Sequence, residues 1–425
     1  MKVFKFGGAS IQDPESVRQL TTIVAEHQAQ PLVIVVSAMG KTTQALEAIF
    51  QQKATDQPYD KAIEQVYLFH QHIVDNLLST TYHQAHQVLV QWKDQLIKTL
   101  HVAYPPDALD KLYSSLVAWG EIVASKIIHH YLQEQAIACA WLDARKYIKT
   151  NSGFRNAQVD WGSTQSLVQR GFMPLLARKN WILTQGFIGS NEAGETTTLG
   201  KESSDFTGAI LAATLSAQSL TIWKDVPGIM SADPKLFQDA VKFDRLSYQE
   251  MAKMAFYGAQ VVHPQTIQPL AMRDIPLYVK PFNDRYEDGT VVSNGYAQIA
   301  HPIYILRADQ CLVRLTLCDL TFLDVQQLSM VFEQLAELAM QVNVLERTAY
   351  SLSLCLNNDS IKLRALSETL QSRFKVCCDS PVSLLTIMYR TGELPVNLIQ
   401  GKTILLEQQF QGIYQLVFKN NMSSC

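Results

Sequence analysis

The chain has 425 residues, 47% hydrophobic and 18% charged, with 36 Lys and Arg against 39 Asp and Glu for a formal charge of −3. That length suits two to three domains, and the charge balance excludes a whole-chain nucleic-acid or anionic-membrane binder, which carries a basic excess. No apolar run of about 18 residues is present, so no transmembrane helix is expected. The start, MKVFKFGGAS, lacks the apolar stretch and small-residue cleavage site of a signal peptide. Seven cysteines, an odd number without a CxxC pair, fit a reducing compartment, and a cytoplasmic location is expected.

In chain order, Val3–Phe6 reads as a strand leading into Gly7-Gly8, and a helical pattern follows from Pro14 to His27. Leu32–Val36 is continuously apolar, as buried parallel strands are. Residues 43–135 are rich in Gln, His and Leu at helical spacing, with breaks at Pro58 and Pro105-Pro106. Further strands are predicted at Ile137–Leu142, Trp181–Ile188, Ser219–Val226 and Leu277–Val279. Strands separated by helical patterns predict a mostly parallel sheet covered by helices on both faces. Six of the seven cysteines lie after residue 310, most glycines lie before 300, and Ser293-Asn294-Gly295 supplies turn chemistry. A boundary is therefore expected near residue 300. Beyond it, strands at Ile303–Leu306, Cys311–Leu317 and Ser351–Leu356 accompany a helix over Val325–Met340. A helix over Ile361–Phe374 and strands at Ser383–Met388, Ile404–Leu406 and Gly412–Phe418 then suggest a second αβ unit of similar order.

Lys5-Phe6-Gly7-Gly8-Ala9-Ser10 puts a lysine and two glycines at a strand-to-helix turn, which suits a phosphate or a bare backbone turn. Gly40-Lys41-Thr42 resembles the end of a P-loop, but Val35 occupies the position of its first glycine. No GxGxxG follows a strand, so a dinucleotide fold has no support. The densest segment is TQGFIGSNEAGETTTLGKESSD, Thr184–Asp205. Its glycines, hydroxyls and Lys201 suit an anion or amino-acid pocket, although Ser204 or Asp205 could simply cap the next helix. Trp223–Lys235 adds lysines and acids at a strand end. Glu121 stands on the apolar face of a helix, either at a wet edge or paired in a site. The histidine pairs lack carboxylate partners at ligand spacing, so no protein-held metal is expected, and the cysteines read as small core residues.

Taken in order, Lys5–Ser10, Ser37–Thr43, Trp119–Glu121, Thr184–Asp205, Ile222–Lys235, Phe256–Thr266 and Val279–Thr290 resemble the aspartate kinases of the amino-acid kinase superfamily. The resemblance implies a three-layer αβα kinase domain over residues 1–300. It also implies two α+β ACT-like modules over 301–425, interleaved so that the last strand completes the earlier unit. The implied activity is transfer of the ATP γ-phosphoryl group to the side-chain carboxylate of L-aspartate, using Mg²⁺, as the entry to lysine, threonine and methionine synthesis. A homodimer or higher homo-oligomer through the ACT-like modules is implied, with lysine or threonine as effector. By the same resemblance Lys5 and Asp205 serve at the reacting centre. Thr43, Glu121, Lys201, Ser203 and Ser204 hold aspartate, while Gly7, Gly8, Ser10, Lys224, Asp225, Met230, Lys235 and Lys280 join Lys5 at the nucleotide.

The chain departs from the family pattern in several places. KFGGTS reads KFGGAS, RGGSD reads Lys201-Glu202-Ser203-Ser204-Asp205, and Lys224 and Lys235 replace the usual threonine and arginine. Ala118-Trp119 precede Gly120-Glu121 where a serine is usual, and Asp319–Ser329 lacks the effector-loop glycine. Lysine cannot make the two-pronged carboxylate contact of arginine. These departures motivate two further readings: a kinase of another carboxylate, or a weak or inactive paralogue that senses an amino acid or partners an active kinase.

Overall fold

The computed structural model describes residues 1–28, 30–102, 104–105, 108–178, 181–259, 261–295, 299–319, 321–390 and 400–420. Pro106 of the expected helix break, Gln260 of the FYGAQVVHPQT block and Cys425 lie outside them. The chain packs into two compact units. The first comprises Met1–Ile229, Lys242–Ala252 and Gln260–Ala297; the second comprises Met230–Val241, Lys253–Ala259 and Gln298–Cys425. Two short segments from before residue 297 thus pack with the C-terminal part.

The first unit is built on an eight-stranded sheet. Its strands are β1 (Lys2–Phe6), β2 (Leu32–Val36), β3 (Cys139–Trp141), β4 (Trp181–Gln185), β7 (Ser219–Lys224), β8 (Arg245–Ser247), β9 (Leu277–Pro281) and β10 (Thr290–Ser293); β5 (Ile188–Ser190) and β6 (Thr196–Thr198) form a separate hairpin. The sheet order is β3-β4-β2-β1-β7-β9-β10-β8, and every pair is parallel except β9 with β10. Every residue of β2 is buried, which is why its sequence shows no alternation. The expected strand over Trp181–Ile188 breaks after Gln185. Gly186 donates its N–H to Val36 O, Phe187 turns at φ +70°, and the chain restarts in the hairpin.

Helices α1 (Pro14–Ala25), α2 (Thr42–Ala54), α3 (Asp60–Leu77), α4 (Tyr82–His101), α5 (Leu109–Glu134), α6 (Trp161–Ala177), α7 (Ser204–Thr214), α8 (Tyr248–Tyr257) and α9 (Pro264–Ala271) complete this part of the chain. Asp13 caps α1 by accepting from Ser16 N at 2.8 Å, and Pro14 fills a position where no N–H is needed. Among the described residues the Gln- and His-rich region forms the four helices α2 to α5. Its middle break, at Leu78–Thr81, is held by Glu134, whose carboxylate accepts from Ser79 N and Oγ and from Thr81 N. No helix among the described residues is long and apolar enough to cross a membrane.

The second unit centres on a six-stranded antiparallel sheet. Its strands are β11 (Ile303–Leu317), β12 (Val342–Arg347), β13 (Ser351–Asn357), β14 (Phe374–Met388), β15 (Lys402–Phe410) and β16 (Ile413–Asn420), in the order β12-β13-β11-β14-β16-β15. Helices α10 (Val325–Glu337) and α11 (Ser360–Leu370) share one core with Val313, Leu315, Leu354 and Phe374. Residues 310–379 therefore trace β11-α10-β12-β13-α11-β14, the βαββαβ order of a complete ACT-like module. The chain on either side, the start of β11 and the end of β14 with β15 and β16, forms the other half of the sheet. Both helices belong to the first half, not one to each unit as the sequence pattern suggests. That pattern passed over β12 because this edge strand buries only Val344.

Candidate active site

In a parallel sheet the strand C-termini share one edge, which is where ligands bind in such folds. The edge here carries Gly7-Gly8 after β1, Ser37 after β2, Gly186 after β4 and Asp225 after β7. A Cβ on Gly8 would lie 2.9 Å from Ala38 O and 3.0 Å from Gly40 O, so the first two loops press backbone against backbone. A Cβ on Gly186 would lie 2.5 Å from Ser204 Cβ, so glycine there lets the first turn of α7 reach the edge.

That first turn brings Asp205 onto the sheet. Lys5 Nζ is 2.7 Å from Asp205 Oδ1, and Lys224 Nζ is 3.4 Å from Oδ2, with Lys5 and Asp205 both buried. Lys5 and Lys224 share a face because Lys5 pairs with Ile222, two residues before Lys224. Lys224 Nζ also donates to Val261 O. Burial lowers the Lys5 pKa, and Asp205 opposes it. Burial alone would raise the Asp205 carboxyl, but the charges of Lys224 and Lys5 outweigh it and hold it low. The cluster thus presents two cations around one carboxylate, a net positive centre in a dry place.

Beside it lies a cavity of about 160 Å³ lined by Gly8, Ala38, Thr43, Glu121, Lys201 and Ser204, among others. Glu121 Oε1 accepts from Ala38 N at 3.3 Å, whereas its buried Oε2 has no partner. Burial pushes this carboxyl up to about 8, against the pull of backbone N–H groups and the Lys5 charge. A buried acceptor without a donor is costly, and it marks where a cationic group belongs.

Lys5, Gly8, Thr43, Glu121, Lys201, Ser204 and Asp205 come together here, and Lys224 joins them through Asp205. Gly7 lies 3.5 Å, by its ideal Cβ, from Lys5 Nζ. Ser203 does not offer its hydroxyl, which donates to Gly200 O at 2.6 Å. Ser10 is likewise committed, donating to Trp223 O at 3.3 Å. Asp225 is exposed at the end of β7. Met230 and Lys235 belong to the second unit. Lys280 is not brought to Lys5. It pairs with Trp223, as Phe6 does, so strand alternation turns it to the opposite face. There its charge joins burial and Lys2 in lowering the His27 pKa.

Ser37, Gly40, Gln44, Glu47, Tyr113, Phe187 and Glu202 also line the cavity, and the sequence reading did not single them out as ligand contacts. Two of them carried a usable signal: Glu47 lies one helical turn after Thr43, and Tyr113 lies eight residues before Glu121. Glu202 occupies left-handed backbone at φ +60°, where a side chain is strained. Glu202→Gly is expected to raise stability by about 0.5–1 kcal/mol in urea unfolding; a loss would show that the side chain makes compensating contacts.

The profile of the amino acid kinase family matches residues 1–281. The chain belongs to the amino acid kinase family. Within it, Escherichia coli lysine-sensitive aspartokinase 3 is 32% identical over 364 residues, covering 84% of this chain and 78% of the relative. The chloroplastic bifunctional aspartokinase/homoserine dehydrogenase of Daucus carota is 25% identical over 89% of this chain but only 42% of its own length. Among solved structures, E. coli aspartokinase III in complex with aspartate and ADP (R-state) superposes with a TM-score of 0.82 at 26% identity, covering 98% of this chain and 95% of that one. The same enzyme with lysine and aspartate (T-state) gives 0.77. The kinase is thus an aspartokinase by sequence and by fold.

Proposed function

We propose that this kinase transfers the γ-phosphoryl group of ATP to the side-chain carboxylate of L-aspartate, forming 4-phospho-L-aspartate and ADP. The observation that carries this reading is the unpartnered Glu121 Oε2 in a cavity beside the Lys5–Asp205–Lys224 cluster. The aspartate ammonium supplies the donor that Glu121 lacks. Lys201 takes the α-carboxylate, and the hydroxyls of Thr43 and Ser204 line the path to the reacting carboxylate.

The acceptor is already ionised, so the reaction needs no general base. One carboxylate oxygen attacks the γ-phosphorus, and the bond to the bridging oxygen of ADP breaks, with no proton moved. Catalysis is positioning and charge neutralisation. Lys5 and Lys224, fixed by Asp205, face the charge that spreads over the transferring group. Gly7 leaves the turn open beside Lys5 Nζ for phosphate oxygens, and Gly8 lets the loop after β2 close against it. Among the described residues no three metal-ligating side chains converge, and Asp205 is held by two lysines, so magnesium would be held through the ATP phosphates beside Lys5 and Gly7. Its chemistry is to neutralise phosphate charge as part of the ATP complex.

The test is ATP- and Mg²⁺-dependent hydroxamate formation with aspartate or glutamate. Aspartyl hydroxamate supports the reading. Product from glutamate alone, or aspartate binding without product, overturns it. Lys201→Arg is expected to lower the aspartate KM about 3- to 10-fold by restoring a two-pronged contact; an unchanged KM counts against Lys201 as the carboxylate contact.

The same assay with lysine and threonine added separately tests regulation. An amino-acid effector taken up by the ACT-like unit of a homodimer is expected to depress turnover with one of the two. Insensitivity to both leaves that unit an assembly device, which sedimentation would show as a dimer.

A further inference from the structure

Two side chains that line the acceptor cavity, Glu47 and Tyr113, stand outside the roles given above. Tyr113 Oη donates to Glu47 Oε1 at 2.7 Å, joining α5 to α2 across the outer wall. Burial, followed by this bond, raises the Tyr113 pKa, so the hydroxyl remains a donor, and the ring is near enough to Glu121 to feel its charge. The ring packs edge-on against Phe50, with centroids 5.4 Å apart.

Arg155 covers this pair. Its guanidinium carbon lies 4.1 Å from the Tyr113 ring centroid and 5.0 Å from that of Phe50, and its Nε is 2.7 Å from Asp110 Oδ1. The ion pair is largely exposed and contributes little by itself. A guanidinium within cation–π range of both rings restrains the pair. The backbone of the same loop is tied to the hairpin strand that leads into Lys201: Thr198 Oγ1 donates to Arg155 O at 2.9 Å, and Thr198 N donates to Phe154 O at 2.7 Å. One loop therefore grips the outer wall of the cavity and the segment that carries Lys201 and Ser204.

We infer that Tyr113, bonded to Glu47, is the residue that sets acceptor length, closing the cavity at a four-carbon dicarboxylate, and that Arg155 is its positioning residue. Buried Glu121 and exposed Lys201 take the two groups common to every α-amino acid, so they cannot tell aspartate from its longer homologue. A rigid wall can, because an extra methylene must either displace it or pull the reacting carboxylate away from Lys5. Wall and chemistry are separated, so loosening the wall changes binding and selectivity more than turnover. This inference rests on the acceptor reading above.

The test compares hydroxamate formation from aspartate and glutamate by the full chain and by Tyr113→Ala, Glu47→Ala and Arg155→Ala. In Tyr113→Ala the aspartate KM is expected to rise at least 10-fold and the aspartate-to-glutamate ratio of kcat/KM to fall at least 10-fold, with kcat for aspartate within about 3-fold of the parent. Glu47→Ala, which opens the wall from the other helix, is expected to shift the ratio in the same direction even if Tyr113→Ala fails to fold. Arg155→Ala is expected to shift it about 3-fold. An unchanged ratio in these variants, or equal losses of kcat for both acids, overturns the inference. A parent that makes no aspartyl hydroxamate overturns the acceptor reading instead.

Discussion

Lys5→Met is expected to lower kcat for aspartyl hydroxamate formation about 10²- to 10³-fold, the usual consequence of removing one group aimed at developing transition-state charge. The fold is expected to survive. Breaking a buried ion pair is severe when it leaves the partner alone, but Asp205 keeps Lys224 at 3.4 Å. A stability loss of about 2 kcal/mol is therefore expected, visible as a lowered urea midpoint with unchanged far-ultraviolet dichroism. Turnover within 3-fold of the parent would remove Lys5 from the reacting centre. A variant that cannot fold would mean that Lys224 does not share the Asp205 charge.

Glu121→Gln should act on binding and carry a pH signature. In the empty cavity burial holds this carboxyl near 8, up from its ordinary 4.5. An ammonium ligand needs the carboxylate, so binding must expel a proton below that pH. The aspartate KM of the parent should fall as pH rises from 6 to 8, by up to about 10-fold per unit, and level off above. Glutamine offers a neutral oxygen at every pH. Its KM is expected to be about 10- to 100-fold above the parent at pH 8, as for loss of a charged hydrogen bond, and flat with pH.

Stability gives an independent readout of the same group. The folded state binds this proton more tightly than the unfolded chain does. The resulting stabilisation is full below about pH 4.5 and is lost as pH climbs toward 8. Glu121→Gln should therefore gain on the parent across that window, by a few kcal/mol on the order set by the shift. A difference between variant and parent that does not change with pH would show that the carboxyl is solvated, and the cavity reading would fall with it.

Much of this architecture was legible because burial writes itself into composition. The continuous apolar run of β2 is buried at every residue, and Asp13 with Pro14 marks the start of α1 in the chain itself. The glycine-rich blocks were legible for the same reason: Gly8 and Gly186 stand where a Cβ has no room. What stayed hidden depends on direction. Lys280 looks like another cation at a strand end, and only the register with Trp223 and Phe6 places it on the far face. Ser203 looks like a free hydroxyl until its bond to Gly200 O is seen. Tyr113 and Glu47, 66 positions apart in the chain, are unremarkable helix residues until their two helices are packed together.

The long strands of the C-terminal unit have a mechanical meaning. Residues 303–317 and 374–388 each run without interruption through both halves of the six-stranded sheet, and they pair along most of their length. The register slips only between Arg307 and Leu312. Two modules strung on a loop are joined at one point, whereas two modules cut from the same pair of strands are joined by a ladder of backbone hydrogen bonds that is irregular only at Arg307–Leu312. Backbone hydrogen bonds running along the same two strands tie one half of the sheet to the other, so the C-terminal unit is held together as one sheet rather than as two beads.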